Sequence, residues 1–215
     1  MARSAYESIR AAVLDCTFPP GMALSEQAVS EQLGVSRGPV REAFRQLVSE
    51  GLLDVVPQLG TFVALLDRSR ISDAIFVREA IECRAAELAA VAPLAARKRL
   101  ATVVARQARA SAKNDYVTHL AADEEFHREL LTVAGHPHAW AALRLARSGM
   151  NRIRHLAIPS VGSHRIAVDH HRAIVAALVE GDAEGAREAM RVHIHSPLDF
   201  LDEIDREHPE YFRRG

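Results

Sequence analysis

After Leu66 the sequence changes texture. Before it, short apolar runs are separated by turn residues. Beyond it strand signals vanish, and alanine-rich segments with apolar residues three and four apart follow one another to the end. That change limits the chain to a mixed N-terminal part, residues 1–66, and an all-helical C-terminal part, residues 67–215. Helices are expected at about 68–91, 93–112, 115–134, 137–157, 161–180 and 183–206, punctuated by Pro93, Asn114-Asp115, Gly135 with Pro137, Pro159-Ser160 and Gly181-Asp182. Short connections between long helices imply an antiparallel bundle. With 48% of 215 residues apolar, each part has material for its own core.

The N-terminal part alternates helix and turn. Residues 4–15 read as an amphipathic helix with Tyr6, Ile9, Val13 and Leu14 near one face, broken by Phe18-Pro19-Pro20-Gly21. Ser25 suits the N-cap of a short helix ending at Leu33, with Gly34 free to turn left-handed after it. Ser36 can cap the next helix, which tolerates Pro39 in its first turn and stops at Gly51. Leu53–Val56 and Thr61–Leu65 flank Pro57-Gln58-Leu59-Gly60 as a β-hairpin. Two short helices, a tight turn and a hairpin form the order of a winged helix-turn-helix, whose second motif helix enters the DNA major groove.

Bulk charge does not announce a nucleic-acid partner. The whole chain carries −1, and its first 66 residues hold five arginines against seven acids, a net of −2. The signal lies in placement. In the helix after Ser36, Val40, Ala43, Phe44 and Leu47 share an apolar face, and Arg37, Arg41 and Arg45 form a stripe about 120° around the axis from it. Arginine can bind guanine O6 and N7, or a phosphate, with two hydrogen bonds. Ser36 and the free amides at the helix start suit a phosphate. Gly38 lets the backbone approach the bases, and Gly60 at the hairpin tip lets the wing touch the duplex.

Residues 6–63 resemble the DNA-binding domain of the GntR superfamily of bacterial transcription regulators. The resemblance is carried by Tyr6 with Ile9-Arg10, Pro20-Gly21, Leu24-Ser25-Glu26, Leu33-Gly34-Val35-Ser36-Arg37, Pro39-Val40-Arg41-Glu42-Ala43, Leu47, Glu50-Gly51-Leu52 and Gly60-Thr61-Phe62-Val63. It implies a homodimer on a near-palindromic operator, with Arg37 and Arg41 contacting the DNA. The chain departs from the family pattern at Gln27 and Gly38, where arginine and threonine are common.

All eleven histidines lie after residue 118. Asp123 and His127, four apart, share a helix face with Leu120, Leu130 and Leu131. His171 lies on the stripe of Ile174, Val175 and Leu178, and His193 on that of Ala186, Ala189 and Met190. Polar groups on apolar faces require partners. A carboxylate and three neutral imidazoles suit a divalent transition metal such as zinc, nickel or manganese. Helical phase favours His171 over His170 and His193 over His195; those neighbours and His164 remain alternatives. For any one of these histidines alone, a satisfied core or surface position is the better explanation; the set of four is what points to a metal.

Residues about 71–200 resemble the FCD effector domain of the same superfamily, through Arg78 to Glu82 with Ala89-Ala90, Asp123 to His127, Ala134-Gly135, His171 with Ile174 and Ala177, Gly181-Asp182, and Ala186 to His193. His136 departs from the asparagine that usually follows the glycine. The resemblance implies that Asp123, His127, His171 and His193 hold a metal, and that the domain senses a small organic or sugar acid. Arg78 and Arg152 are expected to bind the carboxylate, a task suited to a forked guanidinium.

The expected protein is therefore a ligand-responsive regulator and not an enzyme. A metal-dependent hydrolase is the competing reading; Glu124 and Glu125, the available bases, point away from the Asp123 stripe. A regulator with a purely structural metal is a third. No run of about 18 apolar residues suggests a membrane span, and Met1–Ser4 lead directly into a helical pattern without a leader signature. Cys16 and Cys83 are far apart, which fits inert thiols in a reducing cytoplasm.

Overall fold

A computed structural model describes residues 5–161 and 163–214. Met1–Ser4, where the first helix was expected to start without a leader, lie outside the described residues, as does Gly162. The elements are α1 (Ala5–Leu14), β1 (Ala23–Leu24), α2 (Glu26–Leu33), α3 (Arg37–Ser49), β2 (Leu53–Val56), β3 (Gly60–Val63), α4 (Arg68–Arg78), a π-helical turn (Glu79–Cys83), α5 (Arg84–Ala90), α6 (Leu94–Ala112), α7 (Tyr116–Val133), α8 (Trp140–Val161), α9 (Ser163–Glu180), α10 (Ala183–His195) and α11 (Leu201–Glu207). The fold is a winged helix-turn-helix with an all-helical domain, as the sequence implies. Among the described residues no helix is long and apolar enough to cross a membrane.

Two compact units emerge. The first comprises Met1–Ile71, Ser148–Leu156 and Leu201–Gly215; the second comprises Ser72–Arg147 and Ala157–Phe200. The units therefore do not divide at one point in the chain.

In the first unit, Ile9 and Val13 of α1 join Val40, Phe44 and Leu47 of α3, Leu53 of β2 and Val63 of β3 in one core. Ser25 caps α2 by accepting from the amide of Ala28, and Gly34 ends that helix in the left-handed region at φ 65°. This is a conformation in which a side chain is disfavoured. Glu50, at the end of α3, accepts from the Tyr6 hydroxyl at 2.5 Å and from Arg10 Nε at 3.3 Å. Those bonds fix α1 against α3. The wing is an antiparallel sheet of order β1-β3-β2, with Leu53 opposite Val63 and Val56 opposite Gly60. Its two-residue first strand pairs Ala23 with Phe62 and was not foreseen. Beyond the wing, Leu66 forms a parallel bridge to Phe212: its amide donates to Tyr211 O, and its carbonyl accepts from Arg213 N, both at 2.8 Å. Arg68 holds Asp202 at 2.7 Å and Asp205 at 2.9 Å.

In the second unit, α6 packs against α7 and α9, and α10 against α9 and α5. Short connections reverse the chain between neighbours. Three departures from the expected helices stand out. The segment expected at 68–91 contains the π turn. The helix expected to stop before Pro159 runs to Val161. The last segment breaks after His195 into a 3₁₀ stretch, Ser196–Phe200, with Pro197 buried.

Leu47→Ala deletes a wholly buried side chain from the first unit's core. It is expected to destabilise that unit by about 2–5 kcal/mol, whereas exposed Arg41→Ala should change stability by less than about 0.5 kcal/mol. Hydrogen exchange of the α1 and α3 amides in increasing urea measures both.

Candidate functional site

The first unit presents an arginine-bearing surface. Val40, Ala43, Phe44 and Leu47 of α3 are buried, while Arg37, Gly38, Arg41 and Arg45 are exposed. Arg45 lies 3.5 Å from Glu42 in an exposed pair, an interaction weak enough to exchange for a phosphate. Ser36 occupies the N-cap position but makes no side-chain capping bond, so its hydroxyl is not committed to the helix. A Cβ at Gly38 would meet nothing within 4 Å. Gly60 sits at the wing tip with φ 119°, and Leu59 beside it is 74% exposed.

The second unit gathers the other sequence-designated residues. Asp123 and His127 of α7, His171 of α9 and His193 of α10 are all buried, and each offers a ligand atom within 4.8 Å of the others'. His127 Nε2 faces His193 Nε2 at 3.2 Å. His171 Nε2 lies 3.6 Å from Asp123 Oδ1, and His127 Nε2 lies 3.9 Å from Asp123 Oδ2. Phe126 stacks on His171 with ring centroids 4.0 Å apart.

These distances fit a shared cation. Metal–nitrogen bonds of about 2.0–2.1 Å around a tetrahedral centre place two nitrogens about 3.3–3.4 Å apart, near the separation of the two Nε2 atoms. The same separation allows one neutral ring to donate Nε2–H to the other, or both lone pairs to face a shared cation. Burial, aided by Arg147, pulls the His127 pKa down to about 4 against the opposing pull of Glu82. Burial and the neighbouring rings hold His193 well below the usual imidazole range. At neutral pH both rings are the uncharged species that ligates metals.

A ring of partners surrounds the four. Gln107 Oε1 accepts from His171 Nδ1 at 2.7 Å. Glu82 meets His127 Nδ1 through Oε2 and accepts from Arg78 Nε at 2.7 Å through Oε1. Arg147 donates to Asp123 Oδ2 at 2.8 Å and reaches Glu82 Oε2 at 3.6 Å. Burial works against ionisation of Glu82, but Arg78, His127 and Arg147 together hold its carboxyl well below the usual carboxylate range.

The alternative histidines fall elsewhere. His195 pairs with Glu79 at 2.9 Å. His164 stacks edge-on against Tyr116 and His119, and the His170 ring lies 6.0 Å from that of His193. Of the two arginines expected at the effector, Arg78 is buried beside the cluster through Glu82. Arg152 belongs to the first unit, where it donates to the Ala64 carbonyl. Sequence reading missed Arg147, Glu82 and Gln107. Arg147 lies one helical turn and a half before the designated Arg152, and no local pattern distinguishes one from the other. Glu124 is exposed and Glu125 pairs with Arg106, so neither acts as a base at the cluster. Burial pushes the Cys16 thiol up to about 11 and Cys83 up to about 12, which leaves both protonated.

A winged helix-turn-helix joined to a helical domain with a buried Asp/His₃ cluster defines a class of DNA-binding regulator, and the comparisons agree. Residues 1–63 match the bacterial regulatory proteins of the gntR family, and residues 73–196 match the FCD domain. An HTH-type transcriptional regulator in an unstable DNA locus of Streptomyces ambofaciens is 36% identical, over 98% of this chain and 89% of the relative. The HTH-type transcriptional repressor RspR of Escherichia coli K12 is 28% identical, over 96% of this chain and 91% of the relative. A GntR transcriptional regulator from Rhodococcus sp. RHA1 shares the fold with a TM-score of 0.78 at 24% identity, covering 92% of this chain and 95% of that one. The chain belongs to the GntR family of bacterial transcription regulators, in the branch with an FCD domain.

The lowered His127 pKa has a consequence for the metal-free protein. Between pH 6.5 and about 4 the unfolded chain takes up a proton at this residue and the folded chain does not. Stability should therefore fall as pH drops through that window, by roughly 3 kcal/mol, and level off below it. Urea unfolding from pH 7 to pH 4 measures the slope, and His127→Gln should reduce it.

Proposed function

We propose that this regulator binds a near-palindromic operator as a homodimer and releases or tightens its grip when a small carboxylate enters the metal-bearing helical domain. The observation that carries the sensing half is the charge balance at the cluster. Asp123 and Glu82 contribute −2, Arg78 and Arg147 contribute +2, and the His127 and His193 rings are uncharged at neutral pH. A divalent ion held by Asp123, His127, His171 and His193 supplies Lewis acidity and two positive charges to that already balanced interior. Buried charge without a partner is costly, so an anion from solution is the complementary ligand. Arg78 Nη2, buried and without a hydrogen-bond partner among the described residues, is a donor available to a carboxylate. The role expected of Arg152 passes to Arg147, which already grips the Asp123 carboxylate.

The DNA-binding half rests on α3. Arg37, Arg41 and Arg45 face solvent while the opposite side of the helix is sealed in the core. Ser36 and the first amides of α3 fit a phosphate, Gly38 permits close approach to the bases, and Gly60 sets the wing against the duplex. The effector acts by preferring one packing of the helical domain over another, which is the requirement for any coupling to operator affinity. Such a protein works in the cytoplasm, where its DNA and its acid both lie.

A second reading has an observation in its favour. All four candidate ligands are buried, and a closed four-ligand set is the habit of structural zinc. The two readings separate by titration. On the sensing reading, fluorescence anisotropy with a promoter fragment shows operator affinity changing as mono-, di- and hydroxycarboxylates are added, and Arg78→Met abolishes the response. A response to no acid, with tightly held metal, leaves the ion structural.

For the operator itself, Arg37→Ala and Arg41→Ala should each weaken binding by about 1–3 kcal/mol where they read a base. Where they meet a phosphate, the salt dependence should shallow by about one unit. Variants with unaltered affinity and unaltered salt slope would remove α3 from the interface.

A further inference from the structure

The π turn in the helix that begins the second unit packs against α10, α5 and α7 and carries a buried carboxylate. A π turn accommodates one more residue than an α-helical turn, and each residue advances the face by about 100°. Here the turn covers Glu79–Cys83 and contains Glu82. Glu82 is 1% exposed, an unusual place for a carboxylate, with one oxygen hydrogen-bonded and the other in ion-pair contact. Oε1 accepts from Arg78 Nε at 2.7 Å, and Oε2 meets His127 Nδ1 with Arg147 Nη1 3.6 Å away.

We propose that Glu82 is a positioning residue that fixes His127 in the tautomer presenting Nε2 to the metal. The inference rests on the metal reading above. An imidazole bonded to a carboxylate through Nδ1 keeps its proton there, so the lone pair is on Nε2. That atom is the one that faces His193 Nε2 at 3.2 Å. His171 is oriented in the same way, but by the neutral Gln107 amide. The two imidazoles therefore differ in donor strength: a charged acceptor on Nδ1 makes its ring the more basic ligand. Arg78 holds the other oxygen, Oε1, and Arg147 lies beside Oε2, so the buried carboxylate is tethered on both oxygens. Without the π turn, Glu82 would point about 100° away from His127.

The test combines zinc affinity, by competition with a chromophoric chelator, and ¹⁵N-histidine NMR of the metal-free protein, which reports the tautomer directly. Glu82→Ala is expected to weaken zinc binding about 10- to 100-fold and to turn the His127 signals into a tautomer mixture. Glu82→Asp, which draws the carboxylate back by one methylene, should show the same direction of change. Glu82→Gln keeps an acceptor oxygen in place and should restore the tautomer and most of the affinity. Because Glu82→Ala leaves the buried Arg78 without its carboxylate, the aspartate and glutamine variants decide the matter if it does not fold. Folded Glu82→Asp protein with parental zinc affinity and an unchanged His127 tautomer would overturn the proposal while leaving the metal reading intact. A parent protein that takes up no zinc, nickel or manganese would overturn both.

Discussion

Charge balance in a dry interior is the constraint from which the helical domain's design follows. Asp123 is buried on an apolar helix face, where an isolated carboxylate would cost several kcal/mol or be driven neutral. Arg147 answers it directly, and Arg78 and Arg147 together answer Glu82. Once these four charges cancel, the three imidazoles can remain uncharged and keep their lone pairs. Remove either arginine and the interior is left with a net negative charge, which draws protons as well as cations to the imidazole lone pairs. The arginines thus set the chemistry of the site although neither is in the ligand set.

The winged domain meets a different demand. Its recognition helix must be rigid on one side and wet on the other. The sealed Val40, Ala43, Phe44 and Leu47 stripe and the Glu50 anchor to Tyr6 and Arg10 supply the rigidity. The arginine stripe stays free of buried partners. A domain with an overall acidic balance can still offer a basic surface, because screening makes the local arrangement of charge matter more than the sum.

What local pattern governs was legible in the sequence. Ser25 and Gly34 as the ends of α2, the apolar face of α3, the hairpin, and the shared face of Asp123 and His127 all follow from periodicity and turn chemistry. The convergence of His171 and His193 on that pair rests on helical phase, which aims a side chain inward but does not say where three helices meet. Partners brought in by tertiary packing were invisible: Gln107 on α6, Arg147 on α8 and Glu82 in the π turn have no periodic signature. Arg152 shares its helix with several arginines, and only packing shows that this one is bound to the Ala64 carbonyl. The grouping of residues 201–215 with the first unit was equally hidden, since the bridge from Leu66 to Phe212 joins positions remote in sequence.

Gly38 has a consequence of a different kind. Its position is helical, exposed, and surrounded by open space on the protein side. A side chain there meets no part of the protein beyond its chain neighbours, so replacements leave the core of the scaffold untouched. Mutation at this codon can therefore try out new side chains against the duplex without first having to be compensated elsewhere. A lineage carrying this chain has a ready route to drift from one set of target genes to another while the rest of the molecule stays as it is.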